Sequence, residues 1–350
     1  MTTPAEATRV VPLSKAEAAL RELWARSGSL RSRLSTGTLV VVADREDRAE
    51  VEAALMGLHD RVPCRSIVVL LDKNAVPDGQ GEVSVIHRAA GACERVILTT
   101  TIERAAASAL PLVLADMPSR VWWRAKNAAP GATPSMQAFP GDTIIFDTEA
   151  TGFQYLPLPR SAIDLNWMRL RPWRLALARA FEDPERSKLL THIERVVLSG
   201  NASAGIGAGV QGWLLGSWLA GRLGWGEAKR PSGRLLNFRA PNGEVTVSWT
   251  TVTRPDLKPG RLARVELGFS GGAGITVEAQ PESPFLVFDE QPRGLAWREP
   301  GVTESIDALL GEAFVSDPDG EWLKVVERAA GWNAQPPGHG EAGRSIKGGT

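Results

Sequence analysis

Residues 38–43, with the sequence TLVVVA, form a short, continuous apolar run that is rich in β-branched residues. This pattern is typical of a strand that is covered on both faces, as in a parallel sheet flanked by helices. Residues 66–71 (SIVVLL) repeat the pattern, and residues 46–59 between the two runs carry apolar side chains at helical spacing. A buried strand, a helix and a second buried strand in succession predict an α/β layer with a mostly parallel sheet.

The same alternation extends over the first 150 residues. Ser14, followed by Glu17 three residues later, has the pattern of a capping box at the start of a helix. Further strands are predicted at 82–87, 95–99, 111–114, 121–124 and 143–147, and helices at 14–26 and 101–110. We therefore expect residues 14–150 to form an N-terminal, mostly parallel α/β layered domain, preceded by a disordered segment at residues 1–13.

The second half of the chain has a different character. The pattern predicts a strand at 193–198, helices at 164–181, 209–223, 303–314 and 320–332, and strands at 234–239, 245–252, 263–269, 275–279 and 285–288. The last five strands follow one another without helices, which predicts an antiparallel meander. Pro172 disfavours a helix interior, so the first helix either begins near Arg171 or is kinked there. We expect a C-terminal α+β domain at residues 151–333 and a disordered tail at residues 334–350.

Charge and cysteine content argue against several classes of function. Lys and Arg together number 40, as do Asp and Glu, so the formal net charge is zero, whereas general nucleic-acid binders carry a basic excess. Cys64 and Cys93 are too few for a disulfide framework or a four-thiolate zinc site. The apolar stretch 202–225 contains Gln211, Arg222 and many glycines, which favours a buried helix over a membrane span. No signal peptide is recognisable, and we expect a cytoplasmic protein without nucleic-acid, membrane or metal partners.

Two glycine motifs are candidates for chemistry. Residues 207–212 (GAGVQG) fit the dinucleotide-binding pattern G-x-G-x-x-G between a strand and a helix. A meander follows this helix instead of a further βαβ crossover, so we interpret the glycines as a point of close helix–sheet packing. Residues 268–272 (GFSGG) fit the nucleophile pattern G-x-S-x-G, but a strand follows Ser270 where that motif needs a helix. No catalytic residue and no cofactor is predicted.

Tryptophan and arginine occur together to an unusual degree. The chain has 12 tryptophans and one tyrosine, and tryptophans adjoin arginines in residues 121–124 (VWWR) and 164–174 (DLNWMRLRPWR). Both residue types are enriched at protein–protein hot spots, and they also form cation–π pairs within one protein. Partner binding and burial at a domain interface therefore both stay open. The candidate partner-binding residues are Trp122, Trp123, Arg124, Trp167, Arg169, Arg171, Trp173 and Arg174.

These segments resemble a known family, the OpcA proteins of glucose-6-phosphate dehydrogenase assembly. Residues 163–174 resemble the family signature D-L-x-W-x-R-L-x-P-W-R. Residues 112–123 are similar to its D-L-P-x-x-x-W-W segment, with Met117 in place of the leucine, and residues 213–225 to its L-L-x-x-W-L-A-x-x-L-G-W helix. The resemblance extends over residues 15–330.

The resemblance implies a non-catalytic protein that binds glucose-6-phosphate dehydrogenase and favours its active oligomer or conformation. Such binding would support NADPH production in the oxidative pentose phosphate pathway. The resemblance supplies no catalytic site and no cofactor for this chain, and the thiol regulation of some family members is not transferred to Cys64 or Cys93. The alternative from the residues alone is a sensor of small anions, such as a sugar phosphate or a nucleotide, or an uncharacterised enzyme, with its site at residues 207–212.

Overall fold

The computed structural model describes the chain with some gaps, and its residues fall into two compact units. The described residues are 7–26, 35–75, 79–125, 139, 141–151, 161–202, 209–232, 234–280, 283, 285–301 and 305–334. The first unit comprises Met1–Met168 together with Glu304–Gly320, and the second comprises Arg169–Thr303 together with Glu321–Thr350.

The first unit is built on an eight-stranded sheet. Its strands are β1 (Ala7–Pro12), β2 (Thr38–Asp44), β3 (Arg65–Leu71), β4 (Gln80–Arg88), β5 (Gly91–Thr100), β6 (Ser119–Trp123), β7 (Thr143–Phe146) and β8 (Ala162–Asp164). The spatial order is β1-β4-β5-β3-β2-β6-β7-β8. All pairs from β5 to β8 are parallel, while β1 and β4 pair antiparallel at one edge. The predicted mostly parallel sheet is confirmed.

Helices cover this sheet and close its core. They span Ala16–Arg26, Arg48–His59, Ile102–Ala109, Thr148–Thr151, Leu165–Arg169 and Ile306–Val315. A buried apolar cluster joins β2 and β3 to the second and the last of these helices, with Leu55 and Leu309 among its members. Every residue of β2 is buried, as the continuous apolar run predicts for a central parallel strand. Each buried leucine contributes about 1.5–3 kcal/mol relative to an exposed one.

The second unit contains a mixed eight-stranded sheet. Its strands are β9 (Ile193–Asn201), β10 (Ala228–Ser232), β11 (Leu235–Ala240), β12 (Gly243–Val252), β13 (Leu262–Phe269), β14 (Gly274–Ala279), β15 (Phe285–Gln291) and β16 (Leu295–Pro300). The order is β10-β11-β12-β9-β13-β14-β15-β16. In this sheet the β9–β12 pair is parallel and the other pairs are antiparallel. The antiparallel meander is confirmed for β13 to β15 and continues to β16, but β9 lies between β12 and β13, so the five predicted strands do not form one uninterrupted meander.

Among the described residues of this unit, α-helices span Arg171–Ala180, Pro184–Leu189, Gly209–Arg222 and Gly320–Ala334. Ten successive residues of the helix Gly209–Arg222 are buried. Side chains alternate along β12 and β13 between buried and partly exposed positions, which is the pattern of a sheet with one covered face. In the described ranges no helix combines the length and apolar character needed to cross a bilayer.

The structure corrects several details of the prediction. Residues 111–114 do not form a strand, because a short 3-10 helix, Leu110–Leu112, runs into an irregular loop. Part of the N-terminal segment expected to be disordered forms the edge strand β1. The predicted boundary at residue 150 also differs from the division into units. Strand β8 pairs with β7 in the first sheet, and the helix Ile306–Val315 belongs to the first unit. The predicted tail lies outside the described residues, except for Ala334.

Candidate functional site

Trp122 and Trp123 end strand β6 and are completely buried. Trp122 lies in the main apolar cluster, and Trp123 packs edge-to-face on Phe139 with ring centroids 5.6 Å apart. Neither indole nitrogen has a hydrogen-bond partner within the described ranges. Both rings therefore act as apolar core groups, because β6 lies between β2 and β7 in the sheet. A partner could not contact them without opening this core.

Arg124 follows the two tryptophans and reaches the surface. Its backbone nitrogen donates to the carbonyl of Val42 at 2.7 Å. Its guanidinium donates to Glu50 at 2.7 Å, and Asp47 lies 3.8 Å away. The guanidinium carbon also lies 5.3 Å from the centre of the Trp122 ring, a cation–π distance. Arg124 is thus held by two acidic side chains and one buried ring.

Trp167 is buried in the helix Leu165–Arg169, and its indole nitrogen donates to Asp319 at 2.9 Å. Asp164, immediately before this helix, accepts hydrogen bonds from the backbone and hydroxyl of Thr148 at 3.0 and 2.8 Å. It also accepts from the backbone of Asn166 at 2.9 Å. Burial and the neighbouring Asp147 nevertheless raise the pKa of Asp164 to about 6. The network fixes the start of the signature segment.

The helix Arg171–Ala180 begins at Arg171, with Pro172 in its first turn, which confirms the predicted break. Trp173 lies on its buried face and is 7% exposed. Arg171 is exposed, whereas Arg174 and the preceding Arg169 are partly exposed. The three arginines and Leu175, which is 48% exposed, are therefore accessible in this segment, and Trp173 packs on the buried face of the helix.

The eight predicted residues are thus divided between the two units. Trp122, Trp123, Arg124 and Trp167 belong to the first unit, and Arg169, Arg171, Trp173 and Arg174 belong to the second. All four tryptophans are buried, and all four arginines are partly or fully exposed. The motif that suggested a binding surface combines core tryptophans with arginines at the surface.

Both glycine motifs have structural roles at their described positions. Gly209 has a φ of 59°, and a Cβ atom there would lie 2.5 Å from the carbonyl oxygen of Gly260. Gln211 is buried, and its side-chain oxygen accepts from the backbone nitrogen of Leu262 at 2.8 Å. Gly207 and Ala208 lie outside the described residues. Ser270 lies in the hairpin turn between β13 and β14, as predicted, and not in a strand-to-helix turn.

The histidine and the two thiols of the first core are shielded from solvent. The Nε2 atom of His59 lies 2.7 Å from the hydroxyl of Ser66. Burial, with smaller contributions from Arg95 and Arg88, lowers the pKa of His59 to about 4. Burial raises the pKa of Cys64 to about 12 and that of Cys93 to about 11. These thiols are held in their protonated, weakly nucleophilic form near neutral pH.

A buried arginine is the main feature that the sequence did not reveal. Arg65, at the first position of β3, is 2% exposed and donates to Glu94 at 2.7 Å. It also pairs with Glu17 and donates to the carbonyl of Leu112 at 2.8 Å. Trp24 donates to the other oxygen of Glu94 at 2.7 Å. The sequence shows Arg65 at the start of an apolar strand. The partners of Arg65 depend on the register between β3 and β5, which the sequence does not reveal.

These observations define the class of protein as a two-unit chain, with an α/β unit followed by an α+β unit. In the part of the chain that is described, no three or more His, Cys, Asp or Glu side chains converge as ligands for a metal ion. Residues 57–158 match the family model described as the glucose-6-phosphate dehydrogenase subunit N-terminal domain, and residues 160–303 match the corresponding C-terminal domain. The chain belongs to the OpcA glucose-6-phosphate dehydrogenase assembly family, which confirms the resemblance.

Two curated relatives come from cyanobacteria, and each is named a putative OxPP cycle protein OpcA. The protein from Synechocystis sp. is 29% identical over 145 residues, which covers 38% of this chain and 30% of the relative. The protein from Synechococcus elongatus is 29% identical over 175 residues, covering 47% of this chain and 35% of the relative. The matched part of the chain thus spans about a third of the length of each relative.

Proposed function

We propose that this protein is a non-catalytic assembly protein that binds glucose-6-phosphate dehydrogenase in the cytoplasm and favours its active oligomer or conformation. NADPH production in the oxidative pentose phosphate pathway would rise as a result. The observation that carries the proposal is the succession of two family models, at residues 57–158 and 160–303, both described as domains of a glucose-6-phosphate dehydrogenase subunit. The pathway named for the two cyanobacterial relatives supports it.

The mechanism is a shift of the dehydrogenase between two states. An activating partner changes such an equilibrium only by the difference between its affinities for the two states. A tenfold activation corresponds to about 1.4 kcal/mol of differential binding free energy. One well-placed interfacial arginine supplies free energy of this size. The proposed mechanism therefore needs no chemistry from this chain.

The exposed arginines are the proposed contacts of the second unit. Arg171 is exposed at the start of its helix, and Arg169 and Arg174 lie nearby along the chain with partly exposed side chains. Trp173 is buried in the same helix and acts as a positioning residue. In the first unit, the guanidinium of Arg124 lies over the ring of the buried Trp122. Arginine side chains are therefore the proposed contacts in both tryptophan–arginine segments, and Arg124 is held by Glu50 and Asp47.

The first test measures the activity of the dehydrogenase from the same organism with and without the purified full chain. The same samples pass through size-exclusion chromatography with light scattering. We expect the two proteins to co-elute and the dehydrogenase activity to rise with the concentration of this chain. A heat-denatured sample of the chain is the control. A folded chain that neither co-elutes nor changes the rate would overturn the proposal.

A further inference from the structure

The loop after the helix Ile102–Ala109 is unusually apolar for a surface segment. Residues 110–118 read LPLVLADMP and contain one charged side chain, Asp116. Leu110 is 59% exposed and Met117 is 36% exposed. Pro111, Ala115 and Pro118 are exposed as well. An exposed apolar patch of several adjoining residues marks an interaction site more often than isolated apolar side chains do.

This loop is firmly anchored to the sheet of the first unit. The backbone nitrogen of Leu114 donates to the hydroxyl of Thr38 at 3.1 Å, and the backbone nitrogen of Thr38 donates to the carbonyl of Pro118 at 2.9 Å. The buried guanidinium of Arg65 donates to the carbonyl of Leu112 at 2.8 Å. Thr38 and Arg65 open strands β2 and β3, so the loop is fixed at the amino ends of two central strands. A surface held in this way loses little conformational entropy when a partner binds.

Asp116 has a backbone conformation that supports a functional role. In the described part of the chain, Asp116 is the one residue other than glycine that has a positive φ, and its value is 60°. Residues held in this region occur at binding and active sites more often than elsewhere. The Asp116 side chain is exposed and forms no hydrogen bond or ion pair with any residue of the described ranges. The turn therefore presents one carboxylate to solvent between the exposed residues Ala115 and Met117.

A cavity lies beside the same loop. It has a volume of about 270 Å³, and Trp24, Leu114 and Met117 form part of its wall. Its floor includes the buried pair of Arg65 and Glu94. The volume exceeds that of a single apolar side chain. The half-buried Leu114 and the exposed Met117 belong both to its wall and to the loop. A side chain of a partner protein that enters this cavity would therefore be removed from water.

We propose that residues 110–118 form a docking surface for the dehydrogenase. The occupant is an apolar patch of that enzyme that carries one Lys or Arg side chain opposite Asp116. Charge complementarity carries this choice, because Asp116 is the one acidic side chain of an otherwise apolar loop. The inference rests on the proposed function and names the surface that the first unit contributes to it.

The test compares variants of the full chain by calorimetric titration with the purified dehydrogenase at two salt concentrations. Leu110→Glu and Met117→Glu place a charge in the apolar surface, and each should raise Kd by about tenfold or more. Asp116→Asn keeps a residue that tolerates positive φ and removes the charge. It should weaken binding and reduce its dependence on salt. Val10→Glu is the matched control, because Val10 is 64% exposed on β1 and lines a different groove.

The outcomes separate this inference from the proposed function. If the native chain does not bind the dehydrogenase, both are overturned. If the native chain binds and both Glu variants bind with an unchanged Kd, the docking surface alone is overturned. If the Glu variants abolish a concentration-dependent dimer of this chain but not dehydrogenase binding, the occupant is a second copy and the inference is wrong. Thermal unfolding of every variant checks the fold, and Asp116→Asn supplies a conservative variant should a Glu variant unfold.

Discussion

Two buried ionisable side chains of the first unit, His59 and Asp164, respond to pH in opposite directions. The pKa of His59 is lowered from 6.5 to about 4 by burial and by Arg95 and Arg88. Below pH 6.5 the unfolded chain binds a proton at His59 that the folded chain does not bind. The free energy of unfolding therefore decreases as the pH falls from 6.5 towards 4. Burial and Asp147 raise the pKa of Asp164 from 3.8 to about 6. Between these pH values the folded chain holds a proton that the unfolded chain releases, so the free energy of unfolding decreases as the pH rises through this range.

The effect of His59 can be isolated with His59→Gln. Glutamine can still reach the hydroxyl of Ser66 but does not titrate. We expect the native protein to lose about 2–3 kcal/mol more of its free energy of unfolding than the variant does between pH 6.5 and about 4.5. Chemical denaturation at both pH values measures this difference, and Asp164 contributes equally to both proteins.

The matched control for this prediction is His192→Gln, at an exposed histidine of the second unit. It removes an imidazole outside the first core and so shows whether the loss of any histidine produces the same change. A His59→Gln protein with an unchanged pH dependence would show that His59 titrates alike in the folded and unfolded chains, and the prediction would be wrong.

At the scale of elements, the packing of two helices depends on one glycine. Gly57 lies in the helix Arg48–His59, and a Cβ atom at this position would lie 2.5 Å from the Cβ atom of Asp307 in the helix Ile306–Val315. Such a distance is well inside van der Waals contact. The absence of a side chain at Gly57 therefore lets the two helices approach and bury leucines from both sides in one apolar cluster.

Gly57→Ala should destabilise the protein by about 1–3 kcal/mol, because the added methyl group must displace Asp307 or separate the helices. Gly331→Ala is the control, since Gly331 is also helical and a Cβ atom there would meet nothing within 4 Å. This control should stabilise by about 0.5–1 kcal/mol through helix propensity. Denaturant titrations compare the three proteins. Equal stabilities for the two variants would contradict the role given to Gly57.

Elements with a strong pattern were predictable, and those at edges were not. Strands β2 and β3 are continuous apolar runs because helices and neighbouring strands surround them, so their sequences report their burial. The edge strands β1, β10 and β16 were not predicted, because one side of an edge strand faces solvent and the apolar pattern weakens. The run at residues 111–114 was mistaken for a strand because its apolar side chains resemble a core segment, although part of it is at the surface.

The candidate site shows a similar limit. The sequence located both tryptophan–arginine segments, and the resemblance placed them in a family. Whether Trp122 and Trp167 face a core or a partner could not be read from their identities, because large aromatic side chains suit both environments. The pairing of Arg65 with Glu94 depends on the register of β3 and β5, a long-range property that no local pattern contains. The sequence thus predicts which segments matter and not which of their atoms are accessible.

At the scale of the whole molecule, the chain returns to its first unit after building most of the second. The segment Glu304–Gly320 belongs to the first unit. Within it, the carbonyl of Phe314 accepts from Arg120 at 2.7 Å, and Asp319 accepts from Trp167 at 2.9 Å. The matched family models end at residue 303, so the element that completes the first core lies beyond them. Arg120 and Trp167 lie in the family-like segments 112–123 and 163–174, so both segments donate a hydrogen bond to this late part of the chain, and variants are therefore best tested in the full chain.

The last prediction concerns the surface arginines of the second unit. Arg171→Ala and Arg174→Ala remove charge from a helix whose buried face stays intact, since Trp173 and Leu177 hold it. If these arginines are hot spots for the dehydrogenase, each variant should weaken activation by about 2 kcal/mol, roughly thirtyfold in the concentration needed. The assay is a titration of dehydrogenase activity with each variant, alongside thermal unfolding.

Arg104→Ala is the matched control for the arginine variants, because Arg104 is an exposed arginine on a helix outside both signatures. It should activate as the native chain does. Full activation by both Arg171→Ala and Arg174→Ala would show that these arginines do not contact the dehydrogenase and only face solvent. If Met117→Glu still weakened binding in that case, the first unit alone would carry the interface. The arginine variants and Met117→Glu can also be combined. If their losses of binding free energy add in the combined variant, the dehydrogenase contacts both units independently, because additive free energies indicate uncoupled sites.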